Sequence, residues 1–178
     1  MKIGSNKFGR RAGALGVAAL IAVGTAGCGA INQQATQMTY APSDGVAANV
    51  GDLKVRNLML VTNDADSEAR FLGTIVNDSD KAQSVTLTLE SGNTTIEVEP
   101  KSALKLEDST NEKTISKAGK LPGEQVDATV EAEGQSANVA IPVVDGALPE
   151  YREYIPGGFD EKTVEHLKEK ATESEESH

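Results

Sequence analysis

The chain has 178 residues, of which 27 are acidic and 17 basic, and its formal net charge at pH 7 is −10. This length suits one domain with flanking segments. So negative a surface is repelled by nucleic acid and by anionic lipid, which attract clusters of lysine and arginine. Nucleic acid is therefore excluded as a partner, and attachment to a membrane would have to come from covalently bound lipid.

The first 27 residues have the features of a bacterial export signal. A basic start is followed by a stretch of Ala, Gly, Leu, Val and Ile at residues 12–26, and small residues precede Cys28. The run TAGC at 25–28 is typical of a lipobox, in which the signal is removed and lipid is attached to the cysteine sulfur. We therefore expect residues 1–27 to be cleaved and Cys28 to begin the mature chain.

Two other interpretations of Cys28 fit less well. An uncleaved membrane span needs roughly 20 strongly apolar residues, and this segment is shorter and rich in Gly and Ala. A free thiol in an exported protein would be prone to oxidation, and Cys28 is the only cysteine. Because one acyl chain binds weakly, at about 0.8 kcal/mol per methylene, we expect a diacylglyceryl group. The prediction is a lipid anchor on the outer face of the cell membrane.

Residues 28–49 are predicted to form a flexible tether. They show no periodicity and are rich in Gln, Thr, Ala and Asn. A chain of this length has a mean reach of about 25 Å. Met38 and Tyr40 interrupt the polar run, which suggests that this part packs on the domain.

A β-domain is predicted over residues 50–148. Apolar and polar residues alternate in several short stretches, for example around Val85, Leu87 and Leu89, which is typical of strands with one face in water. The segments 53–61 and 69–76 are apolar on both faces in places and predict central strands. We expect an all-β, immunoglobulin-like antiparallel sandwich of seven to eight strands, with a small Greek-key barrel as the alternative.

The turns are predicted from glycine and proline. Gly134 is expected at the first central position of a two-residue hairpin, and the run Ser91-Gly92-Asn93 is expected to be a three-residue loop. Pro142 cannot donate to a strand ladder, so its strand is predicted to lie at an edge or to be bulged. Phe71 is the only aromatic residue in a predicted strand, so the core must be aliphatic and the domain only moderately stable.

Residues 149–178 form a C-terminal extension of different character. Tyr151, Tyr154, Ile155 and Phe159 are of types enriched at protein interfaces, so they are the candidate partner-binding residues. The alternative is that they fold back and cap one end of the sandwich. After them, 160–170 predicts a short helix capped by Asp160, and the acidic end predicts disorder.

No catalytic or cofactor site is predicted. The folded region has neither His nor Cys, since His166 and His178 lie in the tail, so the protein is expected not to be an enzyme and to hold no cofactor. The loop 63–68 (NDADSE) offers oxygen ligands at alternate positions, but it lacks the glycine and the final glutamate of a calcium loop.

The chain resembles the LpqE-like lipoproteins of mycobacteria and corynebacteria. The resemblance is carried by these runs: AGC at 26–28, ATQ at 35–37, GVAANVG at 45–51, LKVRN at 53–57 and VN at 76–77. It implies an actinobacterial source, the sandwich fold and outer-face attachment. That family is distantly similar to periplasmic copper chaperones, which bind Cu(I) through soft His and Met ligands. The mature chain keeps only Met38 and Met59, so the copper motif is not carried over.

These observations together predict a membrane-anchored, non-enzymatic interaction or accessory module of a cell-envelope or membrane protein complex. The alternative is a carrier of a metal, copper or calcium, or of a small ligand.

Overall fold

The computed structural model describes residues 43–165, which contain nine strands and three short 3-10 helices. The strands are β1 (Val46–Val50), β2 (Leu53–Val61), β3 (Ala69–Asn77), β4 (Gln83–Leu89), β5 (Gly92–Val98), β6 (Ser102–Lys105), β7 (Thr114–Ile115), β8 (Gln125–Ala132) and β9 (Gln135–Val144). The 3-10 helices are Ser109–Asn111, Pro149–Tyr154 and Glu161–Val164. Within this range, no helix has the length and apolar character needed to cross a membrane.

The strands form one hydrogen-bonded path in the order β5-β4-β8-β9-β2-β3-β6, with β1 paired to β2 and β7 paired to β3. The path curves until it is nearly closed, so that the domain resembles a barrel. The prediction of a mainly β domain is confirmed. The prediction of a wholly antiparallel arrangement is wrong, because β2 and β9 run parallel.

Strand β9 connects two groups of strands, and Pro142 lies where it changes neighbours. Pro142 pairs with Gln125 of β8, whereas the next residue, Val143, pairs with Leu60 of β2. The strand is therefore central, and its pairing with β8 continues to Pro142 without a bulge, so the prediction of an edge position or a bulge is wrong. The proline is tolerated because the ladder to β2 begins only after it, so that no amide is needed there.

A bulge in β2 explains its run of consecutive apolar residues. Arg56 pairs with Thr74 and Met59 pairs with Leu72, so two residues of β2 face Gly73 alone. The backbone has φ 53° at Asn57 and 133° at Gly73, and the extra residue reverses the face on which side chains lie.

As a result of the bulge, Leu58 and Leu60 enter the main core, whereas Met59 and Val61 lie in a second apolar cluster. The prediction that 53–61 and 69–76 are central strands is confirmed, since β2 lies between β9 and β3, and β3 between β2 and β6.

Both hairpin turns differ from prediction by about one residue. Ala132 pairs with Gln135, so the central residues of that turn are Glu133 and Gly134, with φ 51° and 76°. Two positive φ angles are typical of a type I′ turn, which suits the twist of a hairpin. Leu89 pairs with Gly92, so the other turn has two residues and Gly92 already belongs to β5.

The folded domain begins earlier than predicted. Strand β1 starts at Val46 and pairs with β2, so residues 46–49 are not tether. Ala48 and Val50 are buried in the main core, which explains why this segment is ordered against the sheet. Gly45 donates its N–H to Asn57 Oδ1 at 2.9 Å. The predicted tether before residue 43 lies outside the described residues, as do the signal, Cys28 and the end of the chain from 166.

Asn57 and Asn77, which lie in the runs that resemble LpqE-like lipoproteins, both make hydrogen bonds that hold the fold. Asn57 holds Gly45, as described above. The Asn77 side chain is fully buried, where its Nδ2 donates to the carbonyls of Lys81 and Val98, and its Oδ1 accepts from Ser79. It therefore fixes the connection between β3 and β4.

Candidate interaction site

Residues 145–165, which we call the C-terminal segment, pack against a second apolar cluster on β2 and β3. The cluster contains Met59, Val61, Leu72 and Ile155, and Val144, Tyr151, Tyr154 and Phe159 are half-buried against it. The side chains of Met59 and Val61 lie on the face of β2 that the bulge turns away from the main core. The C-terminal segment therefore covers an apolar sheet face that would otherwise be exposed to water.

Polar contacts hold the C-terminal segment in place. The guanidinium of Arg152 lies 4.4 Å from the centre of the Phe159 ring, and its Nε donates to the Gly146 carbonyl at 2.8 Å. Farther along, Asn63 Nδ2 donates to the Gly158 carbonyl at 2.9 Å. Cation–π contacts of this kind contribute about 0.5–1 kcal/mol at exposed positions. The segment is therefore fixed at both ends of its aromatic stretch.

The guanidinium of Arg70 packs against the ring of Tyr154. It is only 7% exposed, and its Nη2 donates to the carbonyls of Leu106 and Glu107 at 3.1 and 2.8 Å. Its Nη1 pairs with Glu112 at 3.2 Å, and its guanidinium lies 5.1 Å from the Tyr154 ring. A cation held at this position by carbonyls and a carboxylate stabilises the ring stacked above it.

The four predicted partner-binding residues are brought together, but they pack inward. Ile155 is only 5% exposed, and Tyr151, Tyr154 and Phe159 are half-buried. They cover a sheet face rather than one end of the domain. Their role in binding a partner stays a prediction, and for Ile155 such a role would require the segment to move.

An apolar groove lies beside the start of the C-terminal segment. Its volume is about 330 Å³, and it is lined by Pro122, Gly123, Val143, Val144, Asp145, Ala147, Leu148 and Tyr151. Among the described residues, the exposed large hydrophobic side chains are Leu148, at 50%, and Leu121, at 54%, which directly precedes this lining. A concave apolar surface with an exposed leucine in its lining and another beside it is a candidate interaction site.

Sequence reasoning did not find this groove. Its walls come from the loop before β8, the end of β9 and the C-terminal segment, so no local periodicity records it. One signal was present, because Leu121 and Leu148 each stand directly before a proline in a connecting segment. Large apolar side chains at such positions are not required by any strand pattern.

Tyr151 connects the groove to the start of the described chain. Its hydroxyl donates to Asp44 Oδ2 at 2.5 Å. Burial, together with the hydrogen bond and charge of Asp44, raises the pKa of Tyr151 to about 12. The start of the described chain, at Asp44, is therefore held at one wall of the groove.

This bond predicts a loss of stability in alkali. The unfolded chain releases the tyrosine proton near pH 10, whereas the folded state holds it to about 12. Stability should therefore fall as the pH rises through that range, because the unfolded state binds fewer protons there. Titration of the ultraviolet absorbance of tyrosinate should show a late transition. Tyr151→Phe should remove this transition, and Asp44→Asn should shift it to lower pH. A titration in which Tyr151→Phe removes only a transition near pH 10 would contradict this assignment.

The predicted oxygen-rich loop is used by the protein's own backbone. Asp64 Oδ1 accepts from the N–H of Ala65 at 2.5 Å, and Asn63 binds the C-terminal segment. Met59 is buried, at 1% exposure. Within residues 43–165, no group of three or more His, Cys, Asp or Glu side chains could hold a metal ion.

Asp160 was expected to cap a helix. Its Oδ1 accepts from the N–H of Lys162 at 3.0 Å, and the 3-10 helix Glu161–Val164 follows. This part of the prediction is confirmed. The rest of the predicted helix, from residue 166, lies outside the described part of the chain.

The chain matches no protein-family model, and comparison with curated proteins finds no significant match. Several solved structures are similar to it, among them one described as the apo PCuAC domain from PmoF1. That chain is 17% identical with a TM-score of 0.46, and the match covers 56% of the present chain and 99% of the other.

Proposed function

We propose that this protein is a non-enzymatic interaction module, anchored by lipid on Cys28 to the outer face of the cell membrane. It would bind a protein of a cell-envelope or membrane complex. The observation that carries the proposal is the apolar groove at Leu148 and Tyr151, located beside the start of the described chain at Asp44.

The size and rim of the groove indicate which part of a partner would bind. A volume of about 330 Å³ accommodates a small apolar anchor rather than a large ligand. Asp145 lines the groove, Glu124 accepts from the Leu121 N–H at 2.8 Å, and Glu150 is next to Tyr151. An aliphatic or aromatic anchor flanked by Lys or Arg therefore complements this site in shape and charge.

The tether would keep this site close to the membrane. The segment between Cys28 and Asp44 spans at most about 50 Å when fully extended, and about 20–25 Å on average. The end of the domain that carries the groove would thus remain near the bilayer. A protein that is itself embedded in or anchored to the membrane is the partner that such a position favours.

The proposal includes the family and the finer fold that the sequence suggests. The runs at 45–51 and 53–57 that resemble LpqE-like lipoproteins lie in β1, β2 and the turn between them. Two groups of strands enclose the aliphatic core and are joined through β9, which is compatible with an immunoglobulin-like sandwich bent towards a barrel.

Recovery of a partner from gently solubilised membranes tests the proposal. We expect the wild-type protein to bring down a stoichiometric membrane protein, and Leu148→Asp to reduce its recovery about tenfold or more, because an anchor pocket would gain a buried charge. Ala82→Asp is the matched control, since it adds the same charge at an exposed position outside the groove lining. It should leave recovery unchanged.

The anchor is tested in the same experiment. Mass spectrometry should find a mature chain that begins at an acylated Cys28, and Cys28→Ser should release the protein from the membrane fraction. If the wild-type protein elutes alone from several detergents at native expression levels, it is not an interaction module. If Leu148→Asp retains the partner as well as Ala82→Asp does, the groove is not the binding site.

A further inference from the structure

We infer that β5 is an interface between two copies of this chain, which pair through their free strand edges around a two-fold axis at Thr95. This inference goes beyond the proposed function, because β5 contributes no residue to the apolar groove. It concerns a second surface of the domain, and the occupant of that surface is an identical strand.

Strand β5 ends the hydrogen-bonded path of the sheet, so one of its edges has no neighbouring strand in the described range. Its ladder with β4 runs over seven residue pairs without a shift in register. Among residues 43–165, the hydrogen bond that reaches the β5 backbone from outside β4 comes from Asn77 Nδ2 and goes to the Val98 carbonyl, at the end of the strand. The middle of this edge therefore carries unpaired backbone groups.

The two ends of the path are protected differently. Strand β6, at the other end, has only 4 residues, and Lys101 and Lys105 stand at its ends. Short edge strands, lysines, prolines and bulges are the usual means by which a sheet edge avoids pairing with another chain. Strand β5 has 7 residues and none of these features. Its edge is therefore the one that is open to a further strand.

The turn before β5 determines which of its backbone groups point to this edge. Leu89 pairs with Gly92 across a two-residue turn, so that Gly92 bonds to β4. Because the direction of N–H and C=O alternates along an antiparallel strand, Asn93, Thr95 and Glu97 point away from β4. Their backbone donors and acceptors are available to a second strand, and all of their side chains are exposed.

These residues complement an identical strand that runs in the opposite direction. With the two-fold axis at Thr95, each Thr95 faces Thr95 of the second copy, and each Asn93 faces Glu97. Threonine pairs and polar pairs across strands are favourable, whereas like charges directly opposite each other are not. In this register the two Glu97 residues are offset by four positions, which is about 13 Å along the strands. An axis at Glu97 would instead place the two carboxylates opposite each other.

The exposed face of the sheet supports the same arrangement. Thr86 Oγ1 on β4 and Thr95 Oγ1 on β5 lie 3.1 Å apart, within hydrogen-bond distance. Since this pair would be repeated across the axis, threonine hydroxyls would form one row over four adjacent strands. On the other face, Ile96 and Val98 are already buried in the main core. Pairing therefore requires no rearrangement of the core.

The contact is expected to be weak. One pair of strands buries less than the roughly 1,200 Å² at which stable complexes begin, and main-chain hydrogen bonds supply most of the affinity when a strand is added to an edge. Copies anchored to one membrane would have a high local concentration, which favours such a contact. The groove of each copy would remain open, since none of its lining lies on β5.

Disulfide trapping tests the inference at the axis. In the mature chain carrying Cys28→Ser, which has no other cysteine, Thr95→Cys would place two thiols on Cα atoms about 5.5 Å apart, a distance that a disulfide bridges. In a glutathione redox buffer at millimolar protein, it should give about tenfold more disulfide dimer than Thr88→Cys, an exposed control position on β4. Equal yields from the two variants would overturn the inference.

A mixture of two variants tests the register. Asn93→Cys alone and Glu97→Cys alone should each form little dimer, because identical positions two residues from the axis lie about 13 Å apart along the strands. When the two proteins are mixed, the heterodimer should prevail, since Asn93 faces Glu97. If either homodimer is as abundant as the heterodimer, the strands do not pair around Thr95 and the inference fails.

Sedimentation velocity gives a readout without added thiols. The mature chain carrying Cys28→Ser should show a monomer–dimer equilibrium, which Thr95→Lys should weaken about tenfold because it brings two ammonium groups together at the axis. Thr88→Lys adds the same charge to the same face one strand away and should leave the equilibrium unchanged. A chain that stays monomeric at millimolar concentration, or equal effects of the two lysines, would contradict the inference. Leu148→Asp should not affect the dimer, so this interface and the groove can fail separately.

Discussion

Replacing Phe71 with alanine is expected to lower the free energy of unfolding by about 3–5 kcal/mol. Phe71 is fully buried on β3, and within the described residues it is the single aromatic member of the main core cluster. Its neighbours are aliphatic strand residues, such as Leu60 opposite it on β2. Strand residues held by ladder hydrogen bonds cannot collapse far into the cavity, so the loss should approach the upper part of that range.

Chemical denaturation of the mature chain carrying Cys28→Ser, followed by circular dichroism, measures this loss. Leu121→Ala is the control, since the side chain is 54% exposed and the change should be within about 0.5 kcal/mol. Because small domains are stable by only about 5–15 kcal/mol, the Phe71→Ala protein should be near its unfolding threshold at growth temperature. If Phe71→Ala lowers the free energy of unfolding by less than Leu121→Ala does, the Phe71 side chain is not packed in the main core.

The strands with one face in water could be predicted from the sequence because their pattern is local. In β4 and β8 the inward residues alternate without interruption, as at Val85 and Leu87 or Val126 and Val130. Each strand needs only its own alternation to decide which face is buried. No information about its neighbours is required.

The features that sequence reasoning missed depend on contacts between distant segments. The parallel contact between Leu60 and Val143 joins residues more than eighty positions apart, and nothing near either residue records it. Likewise, the bulge at Asn57 is set by its partner Gly73 on the next strand. A run of four apolar residues indicated burial on both sides but could not indicate which segment would cover the outer face.

Only part of the candidate site could be predicted, because the rest also depends on contacts between distant segments. The aromatic residues of the C-terminal segment were found by composition, since they are concentrated outside the strands. Their target, Met59, Val61 and Leu72, is assembled by the bulge and by β3, and the groove wall at Val143 belongs to yet another strand. The sequence therefore identified the aromatic residues of the C-terminal segment. It identified neither the apolar sheet face that they cover nor the groove beside them.

The second large effect is expected from Ile155→Ala, at about 2–4 kcal/mol of lost docking energy for the C-terminal segment. Ile155 is the most buried residue of that segment in the second cluster, where it packs with Met59, Val61 and Leu72. This cluster is separate from the main core. We therefore expect local release of the segment rather than global unfolding. Hydrogen exchange should rise in 149–155, while β2, β4 and β8, whose amides are held in ladders with neighbouring strands, stay protected.

Ile155→Val is the matched control, because it removes one methylene and should cost only about 0.5–1.5 kcal/mol. The comparison of these two variants also tests partner binding, because Tyr151 belongs both to this segment and to the wall of the groove. Ile155→Ala should therefore lose partner recovery, whereas Ile155→Val keeps it. If Ile155→Ala releases the segment but keeps partner recovery, the partner does not bind at this groove, because Leu148 and Tyr151 both belong to the released segment.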